Sequence, residues 1–419
     1  MDGLCKSPVS GAGHQASLSN VGLSTFPCSP ILHRRPPPMT AVELLFWISI
    51  AALGYIYAGY PLLVWTLSRY RGRAVQKGPF QGTISVVLVA YNEAGRVATK
   101  LSNLLASTAA NQIIEVLVGS DGSTDATPAI AGSYPDLRVR AFSFAERRGK
   151  PSVINDLVAQ ARGDVLVFVD ARQDLAPAAI ARLLENFADG NVGVVSGELV
   201  FRRDAESGTA AEGVGFYWTY EKLIRTAETG FRSVPGATGA FYAIRRGLFR
   251  PIPAQTILDD VVIPMQAVEQ GYRCLLERGA EAYDRPSVSS AKEAVRKRRT
   301  IAGCAQLIVA QPRWLLPWHN PIWWEFCSHK LLRLASPMFL IAAGFSNLLL
   351  LDRPLYSVLL ALQFAMYASA IAGWASQQFG RRSSLFGPSL MFVSLNAATV
   401  VALWDALLGR FQATWRKTA

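Results

Sequence analysis

ISVVLVAYNEA, residues 84–94, is the stretch whose reading decides the fold. A short run rich in Val and Ile that breaks at the polar pair Asn92 and Glu93 reads as a buried strand running into a loop. Outward from it the pattern repeats. IIEVLVG (113–119), LRVRAF (137–142), DVLVFVD (164–170) and VGVVSGELVF (192–201) are further strand candidates. Between two of them, 150–161 puts Val153, Ile154, Leu157, Val158 and Ala161 on one helical face. Short β-rich runs alternating with helical patterns over 80–300 predict an α/β domain with a doubly wound sheet. No internal repeat is visible.

Flanking this domain the composition changes. Hydrophobic residues make up 51% of the 419-residue chain and charged residues only 17%, with a mean hydropathy of +0.22. A soluble domain carries about 25% charge, so part of the chain is expected in lipid. Residues 41–68 are apolar apart from Glu43, and about 20 such residues span a bilayer. Arg69, Arg71, Arg73 and Lys77 follow and place the next segment in the cytoplasm.

Three more spans are expected near 334–351, 354–375 and 385–408, together covering 334–408. Arg381 and Arg382 fall in a connecting loop that is cytoplasmic if there are four spans. Arg410, Arg416 and Lys417, in the tail 409–419, would then lie outside, against the positive-inside tendency. Either that tendency yields or the last segment does not fully cross. Residues 305–330 hold Trp314, Trp318, Trp323 and Trp324 among three prolines and read as interfacial. Residues 1–38, rich in Gly, Ser and Pro, read as a disordered extension without a signal peptide's apolar core. Met1 and Met39 are both candidate starts.

Several classes are excluded. The five cysteines are scattered and form no CxxC, and the four histidines lack HExxH spacing, which argues against a zinc site. The net charge of +12 is membrane topology rather than nucleic-acid binding, since no nucleic-acid motif accompanies it. A transporter would carry ionisable residues inside its spans, and these carry almost none.

The chemistry-bearing residues sit where strands end, the edge at which open α/β sheets bind ligands. Ala90, Tyr91, Asn92 and Glu93 close the first strand, and GSDGSTDAT (119–127) puts Asp121 at the end of the second. Arg148-Gly149-Lys150 opens a helix, where cations oppose the helix dipole unless an anion such as a diphosphate favours them. FVDARQD (168–174) ends the fourth strand with Asp170. Each site also has a bland reading: a helix cap for the polar residues, a solvated turn for the basic ones.

Taken together and in order, these motifs resemble the family 2, GT-A-type glycosyltransferases, in the membrane-bound branch of cellulose, hyaluronan and poly-N-acetylglucosamine synthases. The resemblance implies a Rossmann-like mixed sheet and an inverting hexosyltransferase acting on a nucleotide sugar, with a UDP-sugar favoured. By it, Ala90 to Glu93 and Asp121 hold the nucleoside and Lys150 lies near the phosphates. Asp170 is the first Asp of the DxD metal motif, so a divalent Mg or Mn is implied, although Arg172 stands where the second carboxylate belongs. Arg172 could itself neutralise phosphate, or the cation could take a ligand from elsewhere.

PGATGAFYAIRR (235–246) resembles the family's strand beside the sugar, with Gly236 and Gly239 allowing close backbone approach. TILDDVVIP (256–264) matches the Glu-Asp motif, making Asp260 the general base and Asp259 its neighbour. VRKRRTIAGCAQ (295–306) falls at the QxxRW position, so Arg296 and Arg299 would bind the leaving diphosphate, while Thr300 replaces the Trp.

The expected partners are the nucleotide-sugar donor, a polysaccharide or lipid-linked glycan acceptor and membrane lipid, with synthase or export subunits plausible. The expected place is the inner (plasma) membrane, multi-pass, with the catalytic domain cytoplasmic. Two alternatives stay open: single-sugar transfer to a polyprenyl phosphate, and an inactive nucleotide-sugar binder.

Overall fold

The computed structural model describes residues 39–201, 209–284, 290–379 and 385–408. The extension 1–38, the tail 409–419, Arg381 and Arg382 lie outside the described residues, as does the side chain of Arg296.

Helix α1 (Ala41–Gly54) continues through a wide turn into α2 (Tyr60–Arg71). The domain then alternates β1 (Ile84–Ala90), α3 (Val97–Leu105), β2 (Ile113–Asp121), α4 (Thr127–Gly132), β3 (Val139–Phe144), α5 (Lys150–Ala159) and β4 (Val165–Asp170). It continues with β5 (Asp174–Leu175), α6 (Ala179–Glu185), β6 (Val192–Phe201), α7 (Thr209–Phe231), β7 (Phe241–Arg245), α8 (Asp259–Glu269) and β8 (Arg273–Asp284). Last come α9 (Ser290–Ala310), α10 (Trp323–Phe326), α11 (Leu332–Leu349), α12 (Pro354–Gln378) and α13 (Gly387–Leu407).

The eight strands form one sheet in the order β3-β2-β1-β4-β7-β6-β8-β5. The first four pair in parallel, as their alternation with helices predicts. Beyond β4 the sheet is mixed, because β7 runs antiparallel to both β4 and β6. Period-two alternation splits each strand between two cores. Ile84, Val86 and Leu88 pack on the face covered by α3 and α6. Val87 and Leu117 pack on the other face with Leu157 of α5 and Val261 of α8. Both faces are covered, so the strands are apolar throughout rather than alternating.

Among the described residues, four helices are long and apolar enough to cross a membrane: Ala41–Arg71, Trp323–Leu349, Pro354–Gln378 and Gly387–Ala406. The second begins earlier than the sequence suggested. Trp323 to Lys330, expected in the interfacial stretch, is continuous with α11. At one end of this bundle Glu43 and Arg353 form an ion pair, and Trp47 Nε1 donates to Tyr356 Oη at 3.2 Å. At the other end Tyr220 of α7 donates to the Tyr57 carbonyl at 2.8 Å, and Tyr60 bonds to Glu228. The bundle is therefore fastened to the sheet domain by buried polar contacts as well as by apolar packing.

Candidate active site

β1 lies between β2 and β4, so the strand order reverses about it, and open sheets bind ligands at the carboxyl edge of such a switch point. Ala90, Asp121 and Asp170 all reach that edge. The loop after β1 is fastened to the loop after β2. Asn92 takes a left-handed φ of 52°. Its amide donates to Ser123 Oγ at 3.1 Å, and its Oδ1 accepts from the Thr124 amide at 2.8 Å. The Glu93 amide donates to Thr127 Oγ1 at 2.8 Å. Tyr91 offers its ring to the Arg147 guanidinium, 4.0 Å from the ring centroid.

Asp121 is buried, and both its oxygens accept backbone N–H groups, from Arg148 at 2.7 Å and Gly149 at 3.0 Å. It thereby holds the turn that opens α5, which Gly149 enters at φ 91°. The first helical residue is Lys150. Its ammonium lies 3.0 Å from Asp170 Oδ1 and 3.2 Å from Asp259 Oδ2. The second contact is an ion pair without a directed hydrogen bond, since Asp259 Oδ2 has none. Burial would lower Lys150, but Asp170 and Asp259 outweigh it and hold the ammonium above its ordinary range.

Asp259 and Asp260 open α8, where carboxylates suit the helix dipole. Asp260 is pushed up to about 6, by burial first and then by Asp259, against the lowering influence of Lys150 and Lys330. Gly239 lies alongside. A Cβ there would sit 2.8 Å from Asp260 Oδ2, so only glycine leaves that carboxylate room. The Ala237 amide donates to the Asp260 carbonyl at 2.7 Å, and the Asp170 amide to that of Ala240 at 3.1 Å. Gly239 lies in the turn before β7 rather than in the strand the sequence suggested, and that turn joins β4 to α8. Arg299 of α9 is half-buried and within electrostatic range of Asp259, Asp260 and Asp170.

The structure therefore brings Asp121, Lys150, Asp170, Gly239, Asp259, Asp260 and Arg299 into one neighbourhood. Arg172 is not part of it. It forms an ion pair with Asp284, to which Gln173 Nε2 also donates at 2.9 Å, so it ties β4 to the end of β8. Two surface hollows, about 580 Å³ beside Phe80 and about 350 Å³ beside Arg73, lie elsewhere.

Three further residues belong to the site. Lys100, buried on α3, donates to the Gln173 carbonyl at 2.7 Å, and burial lowers it to about 8. Its signal was present in the sequence: a lysine on the apolar face of Val97, Leu101 and Leu104. Tyr242 is buried within range of Asp259, Asp260 and Asp170. Lys330 enters from the apolar helix that begins at Trp323, a placement no sequence pattern marks.

Among the described residues no group of three or more His, Cys, Asp or Glu side chains is arranged to hold a metal. Asp170, a quarter exposed, is the one DxD carboxylate present. A hard cation fits here if donor phosphates supply much of its oxygen shell.

The model of the Glycosyl transferase family 2 matches residues 85–252, ending eight residues before Asp260. The succinoglycan biosynthesis protein ExoO of Rhizobium meliloti is 31% identical over 27% of this chain and 31% of its own. The poly-beta-1,6-N-acetyl-D-glucosamine synthase of Staphylococcus aureus is 24% identical over 46% of this chain and 48% of its own. The chain thus spans less than half the length of these curated relatives. The mannosyltransferase PcManGT from Pyrobaculum calidifontis, solved with GDP-Man and Mn2+, superposes with a TM-score of 0.66. It is 24% identical, over 87% of this chain and 99% of that one, and so shows a shared fold. Residues 85–252 are a family 2 glycosyl transferase domain on the GT-A fold, in a chain that carries apolar helices on both sides of it.

Proposed function

We propose that this chain is an inverting glycosyltransferase. It moves a sugar from a nucleotide sugar, a UDP-sugar in the first instance, to a polysaccharide or lipid-linked glycan at the cytoplasmic face of the membrane. The observation that carries the reading is the grouping around Lys150: one ammonium between Asp170 and Asp259, with Asp260 one residue on.

Each residue then has a task. Asp121 fixes the turn, and the turn presents Lys150 to the diphosphate. Lys150 and Arg299 offset the charge that grows on the departing group, the main electrostatic demand of the step. A divalent cation held by Asp170 together with the diphosphate would add to that stabilisation. Asp260 stands by Gly239, where the acceptor hydroxyl is to lie. As the hydroxyl oxygen bonds to the anomeric carbon, the bond to the diphosphate oxygen breaks and its electron pair leaves with the diphosphate. The acceptor proton goes to the Asp260 carboxylate. Attack opposite the leaving group inverts the configuration.

The test uses the full chain in lipid nanodiscs with a panel of nucleotide sugars. Nucleoside diphosphate release is followed with Mn²⁺, with Mg²⁺ and with chelator. Asp260→Asn keeps the shape and removes the base, so turnover should fall at least 10²-fold while donor affinity holds. Turnover equal to wild type would remove Asp260 from the mechanism. Donor turnover absent in every condition would leave only the nucleotide-sugar-binding alternative.

A further inference from the structure

The turn that carries Gly239 is soft in its own backbone. Residues 235–240 read PGATGA, with Gly236 at φ 130°. Two glycines so close together leave many conformations open to the chain. Yet the turn is held tightly against α8. Its Ala237 amide donates to the Asp260 carbonyl at 2.7 Å, and Gly239 lies against the Asp260 carboxylate. A group outside the turn has to fix it.

Arg225 of α7 is that group. It is 8% exposed and forms no ion pair with any described residue. Its Nη1 donates to Thr238 Oγ1 at 2.9 Å. Its Nη2 donates to the Gly236 carbonyl at 3.0 Å and to Ser196 Oγ at 3.2 Å. Ser196, buried on β6, accepts in turn from the Thr238 amide at 2.8 Å. One planar fork therefore grips the start and the middle of the turn and pins both to β6. Burying a charge among neutral acceptors costs free energy, and an apolar side chain would fill the space without that penalty. Packing alone does not account for an arginine here, whereas the reach of the fork to three acceptors does.

α7 is a firm base for it. Glu221 and Glu228 lie about one turn before and after Arg225 on the same face. Arg333 meets Glu221 at 2.8 Å, and Tyr60 and His329 both meet Glu228, so the apolar helices hold α7 on either side of the fork.

We propose that Arg225 is a positioning residue for the transfer step, fixing the 236–239 turn so that Asp260 stands where the acceptor hydroxyl is deprotonated. The inference rests on the glycosyltransferase reading and adds to it a residue that acts only through the turn. A displacement near 1 Å at the reacting groups can cost about 10² in rate.

The experiment uses the full chain in phosphatidylcholine nanodiscs, as wild type, Arg225→Met, Arg225→Lys, Thr238→Val and the Arg225→Met/Thr238→Val double variant. Hydrogen exchange read by mass spectrometry follows the turn. The Ala237 and Thr238 amides should exchange at least tenfold faster in Arg225→Met, with those of β1 and β2 unchanged. Nucleoside diphosphate release follows the chemistry. In Arg225→Met kcat should fall at least tenfold while UDP affinity by calorimetry holds. Arg225→Lys keeps the charge and loses the fork, so it should recover little. The double variant should be no slower than Arg225→Met, because both substitutions remove the same link.

Wild-type exchange at the turn in Arg225→Met overturns the proposal, as does wild-type kcat with a loosened turn. Full recovery in Arg225→Lys would make charge the requirement and overturn it too, and so would losses that multiply in the double variant. A loss of UDP affinity matching the loss of kcat would move the effect to donor binding, with the same consequence. If Arg225→Met does not fold, Arg225→Lys and Thr238→Val carry the same comparisons. Absence of nucleoside diphosphate release by the wild type would sink the transferase reading instead. The exchange measurement needs no turnover and still decides whether Arg225 holds the turn.

Discussion

Arg298 Nε donates a 2.9 Å hydrogen bond to Asp405 Oδ2, tying the end of the last apolar helix to α9 beside the candidate site. The rest of α13 agrees. Near its start Ser389 accepts from Ser369 at 3.2 Å, and farther on Asn396 Oδ1 accepts from Ser336 at 2.7 Å. A helix crossing from its first residue would carry Asp405 about 27 Å from its start, toward the Glu43–Arg353 end. Instead Asp405 meets the neighbour of Arg299. We therefore expect α13 to leave and re-enter on the catalytic side, and the chain to cross three times. Cysteines placed singly at Leu408 and at the exposed Leu137 should react with an impermeant maleimide from the same side of sealed vesicles. Reaction from opposite sides would mean that α13 crosses.

The pH dependence should report Asp260. Burial and Asp259 both favour its protonated form, which sets it at about 6. The base is the carboxylate, so kcat/KM for the donor should climb as pH rises through about 6 and be lost below it. Lys150→Ala removes a cation that favours the carboxylate, so the acid limb should move to higher pH. A profile flat from pH 5 to 8 would argue that no group of this kind limits the step.

Asp121 supports the donor site through the turn it holds. Charge-assisted hydrogen bonds of this kind are worth about 1.5–3 kcal/mol each. Asp121→Ala should release the Arg148–Gly149 turn and weaken UDP binding by roughly tenfold or more. Calorimetry giving the wild-type dissociation constant would show that the turn plays no part in donor affinity.

Gly239→Ala tests the close approach. The added methyl would lie 2.8 Å from Asp260 Oδ2, and the carboxylate must move. A displacement near 1 Å can cost about 10² in rate. We expect kcat to fall to that extent with donor KM and the circular dichroism spectrum little altered. A variant with normal kcat would mean that Asp260 tolerates the shift and does not act at this position.

Much of the site was legible because family 2 motifs stand at strand ends, and strand ends show as polar breaks in apolar runs. Asp121 and Asp170 were readable in this way, and the Asp259–Asp260 pair, which opens α8, through its resemblance to the family's Glu-Asp motif. The role of Arg172 was not, because its partner Asp284 lies over a hundred residues away at the end of β8. The antiparallel β7 was equally hidden, since local patterning carries no information about strand direction. Lys330 escaped notice because a single charge beside an apolar run ordinarily marks a membrane boundary.

By itself the sequence determined the alternation of strands and helices, the apolar segments and the chemical types at the sheet edge. All of these follow from periodicity and composition within a dozen residues. Only the tertiary structure decided which charges meet: Lys150 with Asp170 and Asp259, Arg298 with Asp405, and Arg172 with Asp284. The physical reason is that electrostatic pairing depends on distance in space, and here the crossovers of the sheet and the return of α13 set those distances.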